Sequence, residues 1–168
     1  MSQVVRGRLS RELILDAAVT LARRDGVGAV SMRRIAEELD VWPMSLYRHF
    51  RDKDELLDAL AEDAARGIAA PAGDGPWRDE ARELLRAARR AFERHPAGLR
   101  LHREPRLHDA GLDVLARAGF AGDEAASAWA ALLAYAAGAA ATEAGAADFE
   151  YGLERLLDGL EARHTSPP

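Results

Sequence analysis

Apolar residues recur along this chain with helical spacing, and no stretch alternates between apolar and polar as a half-buried strand would. The first stripe, Leu13, Ile14, Ala17, Ala18 and Leu21, predicts a helix over residues 10–24 with these side chains on its inner face. Ser10 opens it as an N-cap type, and Gly26 follows as a stop signal. A second helix is expected over 31–39, opened by Ser31 and turning Ile35, Ala36 and Leu39 inward. After a break at Asp40, Val41 and Trp42, Pro43 stands in the first turn of a third helix that ends near His49 and Phe50. Asp52 and Glu55 resemble a capping box for a fourth helix, with Leu56, Leu57, Leu60, Ala61 and Ala64 on its buried side.

Residues 69–76 carry two prolines and two glycines in eight positions, so no helix continues through them, and a domain division is expected there. Beyond it the pattern predicts helices over 77–94, 97–103, 106–118, 123–145 and 148–163, with a disordered tail over 165–168. The fold class is therefore all-α. A tri-helical head over 8–68, with a helix-turn-helix at 31–50, is joined to an antiparallel helical bundle over 76–164.

Composition narrows the possibilities. With 168 residues the chain can bury one sizeable core or two small packed units. Cysteine is absent, which excludes disulfides and thiolate metal sites and fits a reducing compartment; a cytoplasmic location is expected. The amino terminus lacks the apolar stretch of a secretory signal. Residues 125–142 run for eighteen positions without a charge, but they are mostly alanine and have acidic residues at both ends. That composition fits a helix packed on other helices better than a membrane span. The net charge of -5 is unevenly spread: residues 1–53 balance to +3 and residues 54–168 to -8. A basic head on an acidic body suggests a nucleic-acid reader attached to a different kind of domain. Arginine outnumbers lysine 22 to 1, which points to codon usage rather than function.

The residues with the clearest chemistry lie at 42–50. On a helical wheel Leu46 and Phe50 face inward, leaving Pro43, Met44, Ser45, Tyr47 and Arg48 toward solvent or DNA. Exposed Trp42 and Met44 suit a purely solvated surface poorly, yet they suit contact with a thymine methyl group. The run Ser31-Met32-Arg33-Arg34-Ile35-Ala36-Glu37-Glu38-Leu39-Asp40-Val41, followed by Leu46, Tyr47, His49, Phe50, Lys53, Leu56 and Leu57, resembles the amino-terminal domain of the tetracycline-repressor (TetR) family. That resemblance implies that Ser31, Arg33, Ser45, Tyr47, His49 and Lys53 contact phosphates or position the recognition helix. It places Trp42, Pro43, Met44 and Arg48 nearest the bases. Asp40 stands where the family usually has glycine, and Trp42-Pro43 replaces smaller or polar residues, a departure expected to alter which bases are read.

The expected function follows. The chain should be a transcriptional regulator and not an enzyme, a ligand-released repressor that needs no cofactor. Two heads spaced one DNA turn apart, about 34 Å, gain affinity and palindromic specificity, so a homodimer is expected on double-stranded DNA. The helices over 125–145 (Trp129, Leu132, Leu133, Tyr135) and 149–160 (Phe149, Leu153, Leu156, Leu157, Leu160) are the expected dimer surfaces. A pocket lined by Leu85, Phe92, Leu99, His102, Leu112, Leu115, Trp129, Leu133 and Tyr135 would take a small hydrophobic or aromatic effector. Tetracycline itself is not expected. The positions where the family's tetracycline-type branch carries a histidine and polar or aromatic residues fall on Ile68 or Ala69, Leu84 and Ala88, and only His102 matches its metal-ligating histidine.

Two other readings compete. One is a helical ligand- or protein-binding module that kept the fold and lost DNA binding; the basic head and Arg48 speak against it. The other is a metal protein built on His95, His102, Glu104, His108 and Asp109. Their spacing does not bring three ligands to one helical face, and Pro105 interrupts the segment, so no metal site is expected.

Overall fold

The computed structural model describes residues 9–94, 100, 104–142 and 144–165. Among these residues the chain forms eight α-helices, one short 3-10 turn and no strand. It falls into two compact units, Met1–Leu60 and Ala61–Pro168.

The first unit holds α1 (Arg11–Asp25), a 3-10 turn (Val27–Ala29), α2 (Met32–Glu38), α3 (Pro43–Leu46) and the start of α4 (Lys53–Arg66). Ser10 caps α1 by accepting the Leu13 N–H at 3.2 Å, and Ser31 caps α2 by accepting the Arg34 N–H at 3.3 Å. Ile14, Ala18, Leu21, Ile35, Leu46, Phe50, Leu56 and Leu60 fill its core. Leu13 is a correction: it is exposed, because the buried stripe of α1 is centred on Ile14, Ala17, Ala18 and Leu21, one position away. The third helix is also shorter than its pattern suggested. It ends at Leu46, whose carbonyl then accepts the N–H groups of both His49 and Phe50, so the chain leaves in tight turns.

Between α2 and α3 the chain reverses through Asp40, whose φ is +52°. The Val41 N–H reaches the Ala36 carbonyl at 3.0 Å and the Asp40 N–H reaches that of Glu37 at 3.3 Å. These two bonds form a Schellman ending with Asp40 at its left-handed position. Glycine suits such a position because it has no Cβ to crowd the following carbonyl, and aspartate is one of the few other residues that tolerates this backbone.

The second unit holds the end of α4, then α5 (Trp77–Arg94), α6 (Pro105–Arg117), α7 (Gly122–Ala141) and α8 (Ala146–Thr165). Leu84, Leu85 and Ala88 of α5, Leu107, Val114 and Leu115 of α6, Trp129, Leu132, Leu133 and Ala136 of α7, and Phe149, Leu153 and Leu157 of α8 make one core. Burying each larger side chain contributes about 1.5–3 kcal/mol. The uncharged run of α7 is thus accounted for by protein packing, and no described helix is long and apolar enough to cross a membrane.

Charge organises the outer side of this bundle. Arg78, Arg82, Arg86 and Arg89 form one row along α5. Arg78 donates to Glu154 (3.0 Å), Asp158 (2.7 Å) and Glu161; Arg82 to Glu154 (2.6 Å); Arg86 to both oxygens of Glu150 (2.7 Å each). Arg89 reaches the Ala144 carbonyl. The segment before α5 is held in a similar way. Buried Glu80 accepts the N–H groups of Gly73 (2.8 Å) and Gly75 (3.2 Å) and pairs with Arg117.

Candidate nucleic-acid interface

The short helix α3 presents the side chains that its pattern predicted. Trp42 is 83% exposed, Met44 73% and Tyr47 46%, while Leu46 and Phe50 are fully buried. Arg33, Arg48 and Lys53 are exposed; Ser31, Pro43, Ser45 and His49 are half-buried. The inner residues fix the helix and the outer ones form a contiguous stretch from Trp42 to Arg48. An exposed tryptophan at the N-cap and an exposed methionine in the first turn of this helix carry apolar surface that water does not stabilise.

Several carboxylates of the first unit are already engaged. Arg24 holds Glu38 at 2.9 Å and Arg34 holds Asp25 at 2.5 Å. The hydrogen bond from Arg24 is the main reason that both acids sit below the ordinary carboxyl range. At the start of α4, Asp52 accepts the Glu55 N–H at 2.8 Å and is held low chiefly by that bond. Glu55 departs from the expected capping box: it reaches back to the N–H of Arg51 at 2.8 Å, one residue before the cap. Arg33 pairs with Glu37 at 3.5 Å on an exposed face, whereas Arg48 and Lys53 have no ion-pair partner among the described residues.

Arg11 was not foreseen from the sequence. Its guanidinium donates to the His49 carbonyl at 2.6 Å and to Glu55 at 3.2 Å, and lies 4.1 Å from the ring centroid of Phe50. Nothing local marks it, because its partners stand about forty residues away in sequence.

In the body, Leu85, Leu115, Trp129 and Leu133 are core residues; Phe92, Leu112 and Tyr135 are partly buried. Leu99 and His102 lie outside the described residues, as does the helix expected over 97–103 apart from Arg100. Trp129 and Leu133 meet at an apolar groove of about 410 Å³, with His108, Ala134, Ala137 and Ala141. A more polar cleft of about 390 Å³ lies among Ile68, Leu84, Arg66, Arg106, Asp109 and Asp113. The hydroxyl of Tyr135 donates to the carbonyl of Phe149 at 3.0 Å, and its ring stacks on Phe149 with centroids 5.5 Å apart. Among the described residues no three His, Asp or Glu side chains gather as a metal would require.

The surfaces expected for dimer contact are corrected in detail. Phe149, Leu153 and Leu157 of α8, and Trp129, Leu132 and Leu133 of α7, face their own chain's core. That stripe is the one α5 and α6 need to close the bundle. What remains outside is the alanine face of α7 (Ala130, Ala131, Ala134, Ala141), together with Tyr151, 72% exposed, and Leu156 on α8.

Comparison with known proteins agrees with this geometry. Residues 14–60 match the family model described as bacterial regulatory proteins, tetR family, and residues 70–148 match the tetracyclin repressor-like C-terminal domain. A possible TetR family transcriptional regulator from Streptomyces coelicolor A3(2) is 30% identical, with 91% of this chain and 99% of that one covered and a TM-score of 0.78. BioQ, solved with its natural double-stranded DNA operator, is 28% identical over 91% of this chain and 98% of its own, with a TM-score of 0.77. A TetR variant from Acinetobacter baumannii AYE in complex with minocycline is 27% identical over 95% and 100%, with a TM-score of 0.80. The chain spans 33%, 47% and 45% of the length of the first curated relatives it matches. With both family models in chain order, and a 30% identical relative covered almost end to end, this chain belongs to the TetR family of bacterial regulatory proteins.

Proposed function

We propose that this protein is a sequence-specific, DNA-binding transcriptional regulator of the cytoplasm: a non-enzymatic repressor that binds a palindromic operator as a homodimer and is released by a small ligand. Residues 8–68 serve as the DNA-reading domain and 76–164 as the ligand-binding and dimerisation domain. The observation that carries this reading is the exposure of Trp42, Met44, Tyr47 and Arg48 on and beside a short helix anchored from behind by Leu46 and Phe50. Trp42, Pro43, Met44 and Arg48 contact base edges, while Ser31, Arg33, Ser45, Tyr47, His49 and Lys53 contact phosphates or support the helix. BioQ with its operator gives this reading support from a relative.

The body supplies the control. The groove at Trp129 and Leu133 is mostly apolar and suits a hydrophobic or aromatic effector. The minocycline complex is a property of the Acinetobacter protein; here the effector is a class rather than a compound. Tyr151 and Leu156 of α8, with Ala131 of α7, are the surface left for a second copy.

Binding-site selection with the full chain, followed by titration of the enriched duplex at several salt concentrations, tests the DNA reading. A palindrome should emerge, and Arg48→Ala should weaken its binding by about 1–3 kcal/mol, while Met44→Ala shifts base preference. No enriched palindrome, or identical salt slopes and affinities for every duplex, would overturn sequence-specific binding, and no binding to any duplex would favour a module that has lost it. A thermal-shift screen of hydrophobic compounds tests the effector. A true effector must weaken DNA binding by the same factor by which DNA weakens its own binding.

A further inference from the structure

We infer that Arg11, the first residue of α1, is a positioning residue for sequence recognition: one guanidinium fixes the exit of the reading helix α3. The inference rests on the DNA-binding reading above. A helix of four residues has no stability of its own, so its direction is set by what holds its two ends. The Leu46 and Phe50 side chains hold the inner side. At the carboxyl end, carbonyls run out of helical partners. Beyond that end the chain leaves in turns over residues 47–49, and Arg11 fixes the last of them by donating to the His49 carbonyl at 2.6 Å.

Two further contacts make this a joint rather than a lone bond. The guanidinium lies 4.1 Å from the ring centroid of Phe50, the next residue along. It also pairs with Glu55 of α4 at 3.2 Å, and the other oxygen of Glu55 accepts the N–H of Arg51 at 2.8 Å. Residues 49, 50 and 51 are therefore each held by Arg11 or by its partner. A lysine could not reproduce the arrangement, since an ammonium has no flat face to lay on the ring. Nη1 of Arg11 makes both bonds to the protein, which ties the side chain to the exit of α3, so its contribution is to the register of Trp42, Met44 and Arg48.

Discrimination between sequences depends on register, whereas non-specific affinity depends on charge. The full-length protein and its Arg11→Met variant should be titrated at several salt concentrations with the selected palindrome and a scrambled duplex. The ratio of the two affinities should fall about tenfold for Arg11→Met and less for Arg11→Lys, with the scrambled-duplex salt slope unchanged. An unchanged ratio overturns the inference. So does a salt slope reduced by about one with both duplexes weakened alike, because Arg11 would then be a phosphate contact. If Arg11→Met fails to fold, Glu55→Gln applies the same criterion while leaving an acceptor for the Arg51 N–H. Amide hydrogen exchange without DNA keeps this separate from the DNA reading. Protection at His49–Arg51 should drop in either variant, and unchanged protection overturns the inference even if no palindrome is found.

Discussion

Gly111 of α6 lies with its backbone against the indole of Trp129 in α7, so close that a Cβ at this position would stand 2.1 Å from the ring atoms. Trp129 is fully buried and cannot yield into solvent. Gly111→Ala should therefore destabilise the second unit by about 1–3 kcal/mol, the usual cost of overpacking a filled core. The same substitution in a Trp129→Leu background should cost far less, because the smaller side chain vacates the contested space. Chemical unfolding of the parent and the three variants measures the coupling directly; equal costs in both backgrounds would contradict the contact.

The arginine row predicts an acid-sensitive body. Hydrogen bonds from Arg82 to Glu154, from Arg86 to Glu150 and from Arg117 to Glu80 hold these three carboxyls below their ordinary range. A carboxyl lowered by folding contributes stability that is present above its unfolded value, about 4.3 for glutamate, and lost as pH falls through its folded value. Stability of the second unit should hold from neutral pH to about 4.5 and then decline. Denaturant melts of Glu150→Gln/Glu154→Gln should show lower stability at pH 7 and a shallower decline on acidification. A decline as steep as in the parent would remove these two residues from the explanation.

Asp40 occupies a left-handed backbone position without being glycine. Asp40→Gly should raise thermal stability by up to about 1 kcal/mol, since the side chain's steric cost disappears. A β-branched replacement, Asp40→Val, should lower it and loosen the connection between α2 and α3. Thermal unfolding of the three proteins gives the order Gly, Asp, Val if the backbone assignment is right.

Trp42 reports on the reading head because it is far more exposed than Trp77 or Trp129. In the free protein acrylamide should quench mainly Trp42 emission. Adding the selected duplex should protect it, and Trp42→Phe should abolish that change. A DNA-dependent change that survives in Trp42→Phe would move the contact elsewhere.

The head was legible in the sequence to a degree that the body was not. Ser10, Ser31 and Asp52 announce their helices through short-range bonds to backbone three residues on, and those bonds are present. Exposure of Met44, Tyr47 and Arg48 followed from the wheel around Leu46 and Phe50, which also turned Pro43 and Ser45 outward although they are half-buried. Leu13 misled because a stripe read from spacing alone does not say where its centre lies. In the body, the apolar stripe of α8 was equally consistent with facing a second chain or its own bundle; packing of Phe149, Leu153 and Leu157 against the rest of the unit decided the matter. The pairings of Arg78, Arg82 and Arg86 with α8 cross 64 to 83 positions, a separation at which periodicity carries no information. Arg11 and its forty-residue reach to His49 and Glu55 failed to announce themselves for the same reason.

The ladder between α5 and α8 also bears on how the chain is born. During synthesis α5 leaves the ribosome well before Glu150, Glu154, Asp158 and Glu161 have been added. Until then Arg78 lacks its three carboxylate partners, and Arg82 and Arg86 have only Asp79 and Glu83 of their own helix, so the row is partly unpaired and prone to adhere to ribosomal RNA or to other nascent chains. Arrival of α8 supplies the missing carboxylates to that row, whereas the apolar face of α5 packs on α6 and α7. The last described helix thus works as a closing latch, and the second unit reaches its finished form only when that helix has emerged.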